Sequence, residues 1–248
     1  MQSWGSMSFA NEKLTLIDVG GLGGLQEHWK PFIADICPIV FEPNTEQAAL
    51  IRPAIEAING GKVMEFALAH AECTMDLNIT KSLGCTSLLK PNDNLLNRYS
   101  ISGAFQVEKT IPVDCVRYDS LFSQDLVPQP DAIKIDVQGF EYQVLLGFGG
   151  LLENCLGIQL EAHLLPIYHD QKLLNDLVDL LYLFELSPRK IVPVNHFDGD
   201  IVEVDIWFTA NKQKISKLDS NGRRKLDIIL KAWEIEGHRD IFHVNSWG

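Results

Sequence analysis

Basic residues are scarce: 21 Lys and Arg stand against 33 Asp and Glu, a formal net charge of −12 at pH 7. A surface that grips nucleic-acid phosphates or anionic lipid needs the opposite balance, so neither partner is expected. Paired cysteines are missing as well. Cys37, Cys73, Cys85, Cys115 and Cys155 are scattered, odd in number and without a C-x-x-C pair. That excludes a zinc ribbon or a secreted disulfide framework and points to reduced, buried thiols in an intracellular protein. No run reaches the roughly 18 apolar residues of a membrane span. The opening residues lack a basic start followed by an apolar core, so no secretory signal is read there and a cytoplasmic location is expected. H-E-x-x-H, a P-loop, internal repeats and low-complexity tracts are also absent.

What remains is an ordinary globular composition, 46% hydrophobic and 22% charged, enough for one full core. Short apolar runs alternate with longer amphipathic ones. Strands are expected at Leu14–Val19, Pro38–Glu42, Lys62–Leu68, Ala132–Asp136 and Leu156–Glu161, with Ile191–Val194 and Val202–Phe208 as a closing pair. Helices are expected near 25–34, 46–58, 141–152 and 171–184, the second capped by Asn44 or Thr45 and stopped at Asn59. Residues 70–112 look irregular, with one extra strand at Met75–Ile79. Strands separated by helix-length segments indicate an α/β fold, a parallel sheet with helices on both faces. Residues 14–210 form that domain, and 211–248 read as a helical C-terminal extension. In the extension Leu226, Ile229, Leu230 and Trp233 make one apolar stripe, which docks on the domain or serves a partner, including a second copy of the chain.

The chemistry-bearing residues sit at strand ends. Asp18 precedes the glycine cluster Gly20, Gly21, Gly23 and Gly24, and Glu42 closes the next strand. Glycines at such a turn let a ligand approach the backbone, and a carboxylate at the second strand end can accept both hydroxyls of a ribose. An adenosine-containing cofactor follows. The nicotinamide-dinucleotide register G-x-G-x-x-G fails from Gly20, where the third residue is Leu22, and from Gly21, where the sixth is Gln26. S-adenosylmethionine carries no phosphates and has a cationic amine, which suits Asp18.

These blocks resemble the FkbM-type methyltransferases. The matching segments are Ile17-Asp18-Val19-Gly20, Phe41-Glu42-Pro43-Asn44, Thr86-Ser87-Leu88-Leu89, Ile133-Lys134-Ile135-Asp136-Val137-Gln138-Gly139-Phe140-Glu141, Gln159-Leu160-Glu161-Ala162-His163 and Val204-Asp205-Ile206-Trp207-Phe208. The resemblance implies a Rossmann-like class I methyltransferase fold with a mostly parallel seven-stranded sheet. It also implies S-adenosylmethionine as cofactor and O-methylation of a hydroxyl on a sugar or secondary metabolite. By that resemblance Asp18, Gly20 and Gly24 would hold the methionine end and Glu42 the ribose, with Leu68 and Ala69 near the adenine; Gly21, Pro43, Asn44 and Asp136 are counted with them as cofactor-binding residues. Where the family usually has Ala-Asn after its first glycine, this chain has Gly21-Leu22. A cofactor-binding module without catalysis therefore stays open, as does, less favoured, an NAD-dependent oxidoreductase.

For the reaction itself, Asp136, Glu161 and His163 are the candidates. Asp136 serves as base or as a contact to the donor's amino end, or else caps the following helix. Alternation along the strand puts Glu161 and His163 on one face, and an imidazole beside a carboxylate can take a proton from a hydroxyl. No metal is assigned; a divalent ion on Asp136, Glu161 and His163 is the lesser alternative. Glu141 is read as a salt-bridge partner for Lys134.

Overall fold

The computed structural model describes residues 13–58 and 60–236. The leader reading, the Asn59 helix stop and the end of the C-terminal extension fall outside these residues.

In chain order the strands are β1 (Leu14–Val19), β2 (Ile36–Phe41), β3 (Lys62–Met64), β4 (Ala67–Leu68), β5 (Cys73–Thr80), β6 (Val107–Val116), β7 (Ala132–Ile135), β8 (Gly157–His163), β9 (Leu186–Val194) and β10 (Glu203–Ala210). The α-helices are α1 (Thr45–Glu56), α2 (Asp93–Leu96), α3 (Tyr118–Ser123), α4 (Glu141–Phe148), α5 (Leu174–Tyr182), α6 (Lys212–Ser216) and α7 (Ser220–Ala232). Seven strands form the main sheet in the order β3-β2-β1-β7-β8-β10-β9. The first five run parallel; β10 is antiparallel to β8 and to β9. β1, β7 and β8 are almost continuously buried, because helices cover both faces of the sheet. From β1 the chain moves outward to β2 and β3, then returns to β7 on the other side of β1. The order reverses between β1 and β7, and beyond the carboxyl ends of strands at such a switch point a crevice opens.

Four expectations need correction. The run Lys62–Leu68 is not one strand: β3 joins the main sheet, whereas β4 pairs with β6 in a separate three-stranded sheet of order β4-β6-β5. The irregular reading of 70–112 missed β6, the centre of that sheet. The segment 25–34 holds only a 3₁₀ turn, Glu27–Phe32, with Pro31 inside it, where the missing N–H prevents a longer helix. The 141–152 helix ends at Phe148 and continues as a 3₁₀ turn over Gly149–Asn154.

The C-terminal stripe is occupied within the chain. Leu226, Ile229 and Trp233 are buried with Trp29, and the Trp29 and Trp233 rings meet edge-on at 6.0 Å. Gly157 makes this possible: a Cβ there would lie 2.6 Å from the Trp233 ring. Lys225 reaches into the domain to Asp131 at 2.6 Å. Among the described residues no helix is long and apolar enough to cross a membrane.

Candidate cofactor cleft and the acidic cluster behind it

Past β1 the backbone turns sharply at Gly20, whose φ is +82°. A Cβ there would sit 1.9 Å from the Asp136 carbonyl oxygen, so only glycine lets the β1 turn pass the end of β7 this closely. Gly20 N–H donates to the Phe41 carbonyl at 3.0 Å, joining the turn to β2. One residue beyond β2, Glu42 is 8% exposed. Its Oε1 accepts the Asn44 N–H at 2.9 Å, and Asn44 in turn caps α1 by accepting the Glu46 N–H at 3.1 Å. Burial pushes the Glu42 carboxyl above its ordinary range, partly opposed by the Asn44 N–H.

These strand ends border a cleft with about 100 Å³ of enclosed space. Gly20, Glu42, Pro43, Asn44, Leu68 and Asp136 line it, six of the residues singled out from the sequence. Its apolar wall includes Phe66, Ala67, Leu77 and Leu88, to which the sequence reading gave no role. Asp18, Gly21, Gly24 and Ala69 are not among the lining residues. Asp18 is buried against Lys134, Gly21 and Gly24 face Ile51 of α1, and Ala69 packs behind the wall with its carbonyl against Gly147.

Lys134 on β7 organises the switch point. Its Nζ lies 3.2 Å from Asp18 Oδ1 and 3.7 Å from Asp136 Oδ2, and donates to the Gly20 carbonyl at 2.8 Å. Burial alone would lower its pKa; the carboxylates of Asp18 and Asp136 reverse the sign and hold it charged. The expected Lys134–Glu141 pair is therefore replaced. Glu141 is buried and accepts the N–H groups of Val137 at 3.2 Å and Gly139 at 3.0 Å. Asp136 does not cap α4, whose N-cap residue Phe140 makes no side-chain cap bond. Asp136 instead lines the cleft, held by Lys134 and Gln138.

Behind the cleft, Gln138 connects Asp136 to the end of β8. Its Nε2 donates to Asp136 Oδ1 at 3.2 Å and to Glu161 Oε2, while its Oε1 accepts from the Tyr168 hydroxyl at 2.9 Å. Glu161 is held well above the ordinary carboxylate range by burial, and then by the negative charges of Asp136, Glu203, Glu141 and Asp205. His163 is 1% exposed, with Nε2 3.4 Å from Glu203 Oε2 and Nδ1 2.6 Å from Gln171 Nε2. Gln171 commits its oxygen to the Tyr168 N–H at 3.1 Å, so its amide N–H is what faces Nδ1. With Nδ1 as the acceptor the ring proton falls on Nε2, which lies near Glu203 but makes no hydrogen bond among the described residues. Potential ligand atoms of Glu161, His163 and Glu203 lie within 4.8 Å of one another. A metal-bound histidine, however, donates its other ring N–H to an acceptor, the reverse of this arrangement.

Strand order, switch-point cleft and acidic strand ends together define the class I methyltransferase type of α/β fold. The sequence matches the model of the methyltransferase FkbM domain over residues 21–205, and the chain belongs to that family. Among solved structures it is similar to methyltransferase FkbM from Methylobacillus flagellatus KT, with 13% identity and a TM-score of 0.48 over 82% of this chain and 44% of that one. It is also similar to magnesium protoporphyrin IX methyltransferase from Synechocystis PCC 6803 with bound SAM, with 10% identity and a TM-score of 0.43 over 81% of this chain and 72% of that one. The chain thus spans less than half the length of the first. Comparison with curated proteins gives no match.

Proposed function

We propose that this chain binds S-adenosylmethionine in the switch-point cleft and methylates a hydroxyl group of a sugar or secondary metabolite. The observation that carries the reading is Glu42, a buried carboxylate fixed by a backbone N–H beside a cleft whose other wall is apolar. Its geometry suits a ribose diol, and Phe66, Leu68, Leu77 and Leu88 suit an adenine ring. Gly20 allows close approach of the methionine end, and Asp136 offers a negative charge to its amine. Asp18 acts one step back, by holding Lys134.

Once bound, the cofactor supplies a methyl group already activated on a sulfonium. The protein's task is then to position the acceptor and to take its proton. Glu161 is assigned as the base, because its raised pKa gives it the proton affinity that a carboxylate in water lacks. Gln138 holds it beside Asp136, and His163, with its Nε2–H near Glu203, positions the cluster rather than taking the proton itself.

Calorimetric titration with S-adenosylhomocysteine, with NAD as comparator, tests the cofactor. Binding of the former alone, weakened about 10- to 100-fold by Glu42→Ala as expected for lost hydrogen bonds to a charged group, supports the assignment. Binding of NAD alone would replace it with the oxidoreductase reading. Binding of the homocysteine product without turnover on any hydroxyl acceptor would mark a non-catalytic module. Since His163 carries its proton on Nε2, added EDTA is expected to leave turnover unchanged; a loss restored by Mn²⁺ would overturn that role for His163.

A further inference from the structure

The sequence reading treated the cysteines as buried thiols. Cys85, Cys115 and Cys155 are buried, but Cys73 is exposed. Cys73 also stands directly opposite Cys115 in the antiparallel register of β5 and β6. Along β5 it shares its parity with Leu77 and Ile79, and along β6 Cys115 shares its parity with Val113. All three of these apolar residues belong to the main core, so both sulfurs project from the same face of the small sheet. Directly opposed residues of an antiparallel pair have Cβ atoms about 4.5–5.5 Å apart, close to the spacing that a disulfide spans.

We propose that Cys73 and Cys115 form a redox modification site, closing to a cross-strand disulfide when the protein meets hydrogen peroxide. Exposure decides the order of events. Cys73 Sγ attacks a peroxide oxygen, the O–O bond breaks, and water leaves with Cys73 as the sulfenic acid. Cys115 Sγ then attacks Cys73 Sγ, the S–O bond breaks and a second water departs. Two thiols are oxidised by two electrons, one peroxide is reduced to two waters, and no other reactant is needed. Burial and the neighbouring Cys73 push the Cys115 thiol up to about 12, which makes it the slower, second partner and makes closure faster as pH rises.

The site has a structural consequence. Cys115 is also paired with Ala67 of β4. Ala67 and Leu68 of β4 and Leu77 of β5 line the cleft, so the bond would tie β5 to β6, the strand that lies between these two strands of the apolar wall.

The experiment treats the full chain with hydrogen peroxide, quenches with an alkylating agent under denaturing conditions and maps the peptides without reduction. The expected result is a Cys73–Cys115 linked peptide and a fall from five free thiols to three, reversed by dithiothreitol. Cys73→Ser, at an exposed position that leaves the fold alone, should abolish the linked peptide and keep Cys115 alkylatable. Recovery of Cys73 as sulfinic acid or as the unmodified thiol, with Cys115 fully alkylated, would overturn the proposal. So would a Cys73→Ser protein that still loses two thiols, since the pairing would then lie elsewhere.

Discussion

Replacing Lys134 with Met should cost about 3–5 kcal/mol of stability, the range found when one partner of a buried ion pair is removed. Methionine roughly matches the lysine stem in length and volume, so a cavity contributes little. What is lost is the ammonium at 3.2 Å from Asp18 and 2.8 Å from the Gly20 carbonyl. Asp18 is 4% exposed and pairs with no other cation among the described residues, so its charge would be left in a dry interior. The loss should be the same across the neutral range, because a lysine whose pKa is raised stays charged through it and loses its stabilising effect only above the ordinary lysine range. Urea unfolding measures this as a lower midpoint at unchanged slope. Pairing the change with Asp18→Asn should recover much of it, since removing both charges avoids the orphaned carboxylate. A loss below about 1 kcal/mol for Lys134→Met would mean that the pair is dispensable to the fold. The β1 turn itself depends on this lysine, so homocysteine-product affinity should fall with it, unlike in Glu42→Ala, where stability is expected to hold.

The parts that were legible in the sequence are those where a single residue's position settles its role. Leu14–Val19, Ile36–Phe41 and Ala132–Ile135 are almost wholly buried strands, so they read as apolar runs, and the acidic residues Asp18, Glu42 and Asp136 near or just beyond their carboxyl ends mark the edge of the sheet. β6 was hidden because only one of its faces is buried. Glu108, Lys109 and Asp114 are exposed along it and break the apolar run, and Pro112 argues against a strand interior. Partners at long range were less legible still. That Glu141 would carry a charge-bearing role could be seen, but its acceptance of two backbone N–H groups depends on the turn at Gly139 and not on spacing to Lys134. Glu203 was not singled out at all, since its meeting with His163 is made by the antiparallel pairing of β10 with β8. Gln138, sandwiched in the most recognisable block, gave no hint that it would bridge Asp136 and Glu161.

Glu161→Gln should lower turnover about 10²- to 10⁴-fold, the usual contribution of a positioned base, and at the same time stabilise the protein at neutral pH. Both effects come from one cause. Burial and four neighbouring carboxylates raise the Glu161 pKa in the folded state, so the native protein binds this proton more tightly than the unfolded chain does. Stability tied to Glu161 is therefore fullest below the ordinary carboxylate range and is lost as pH climbs through the raised folded value. Glutamine has no proton to lose and keeps the hydrogen bond to Gln138 through its amide oxygen, so the variant should lose less melting temperature than the parent as pH rises. Some slope remains, because Asp205 is raised by burial and by Asp136 and Glu203 from 3.8 to about 6 and acts in the same direction. In the parent the rate should run the other way, with kcat/KM falling as acid protonates Glu161 and the variant lacking that limb. Thermal melts and pH–rate profiles on the same two proteins separate the outcomes. A variant that is more stable yet fully active would leave the burial argument standing and move the base to Asp136, the carboxylate that already lines the cleft. A variant that is neither more stable nor less active would mean that the charge on Glu161 is relieved by some other group, and the acidic cluster would then need a cation.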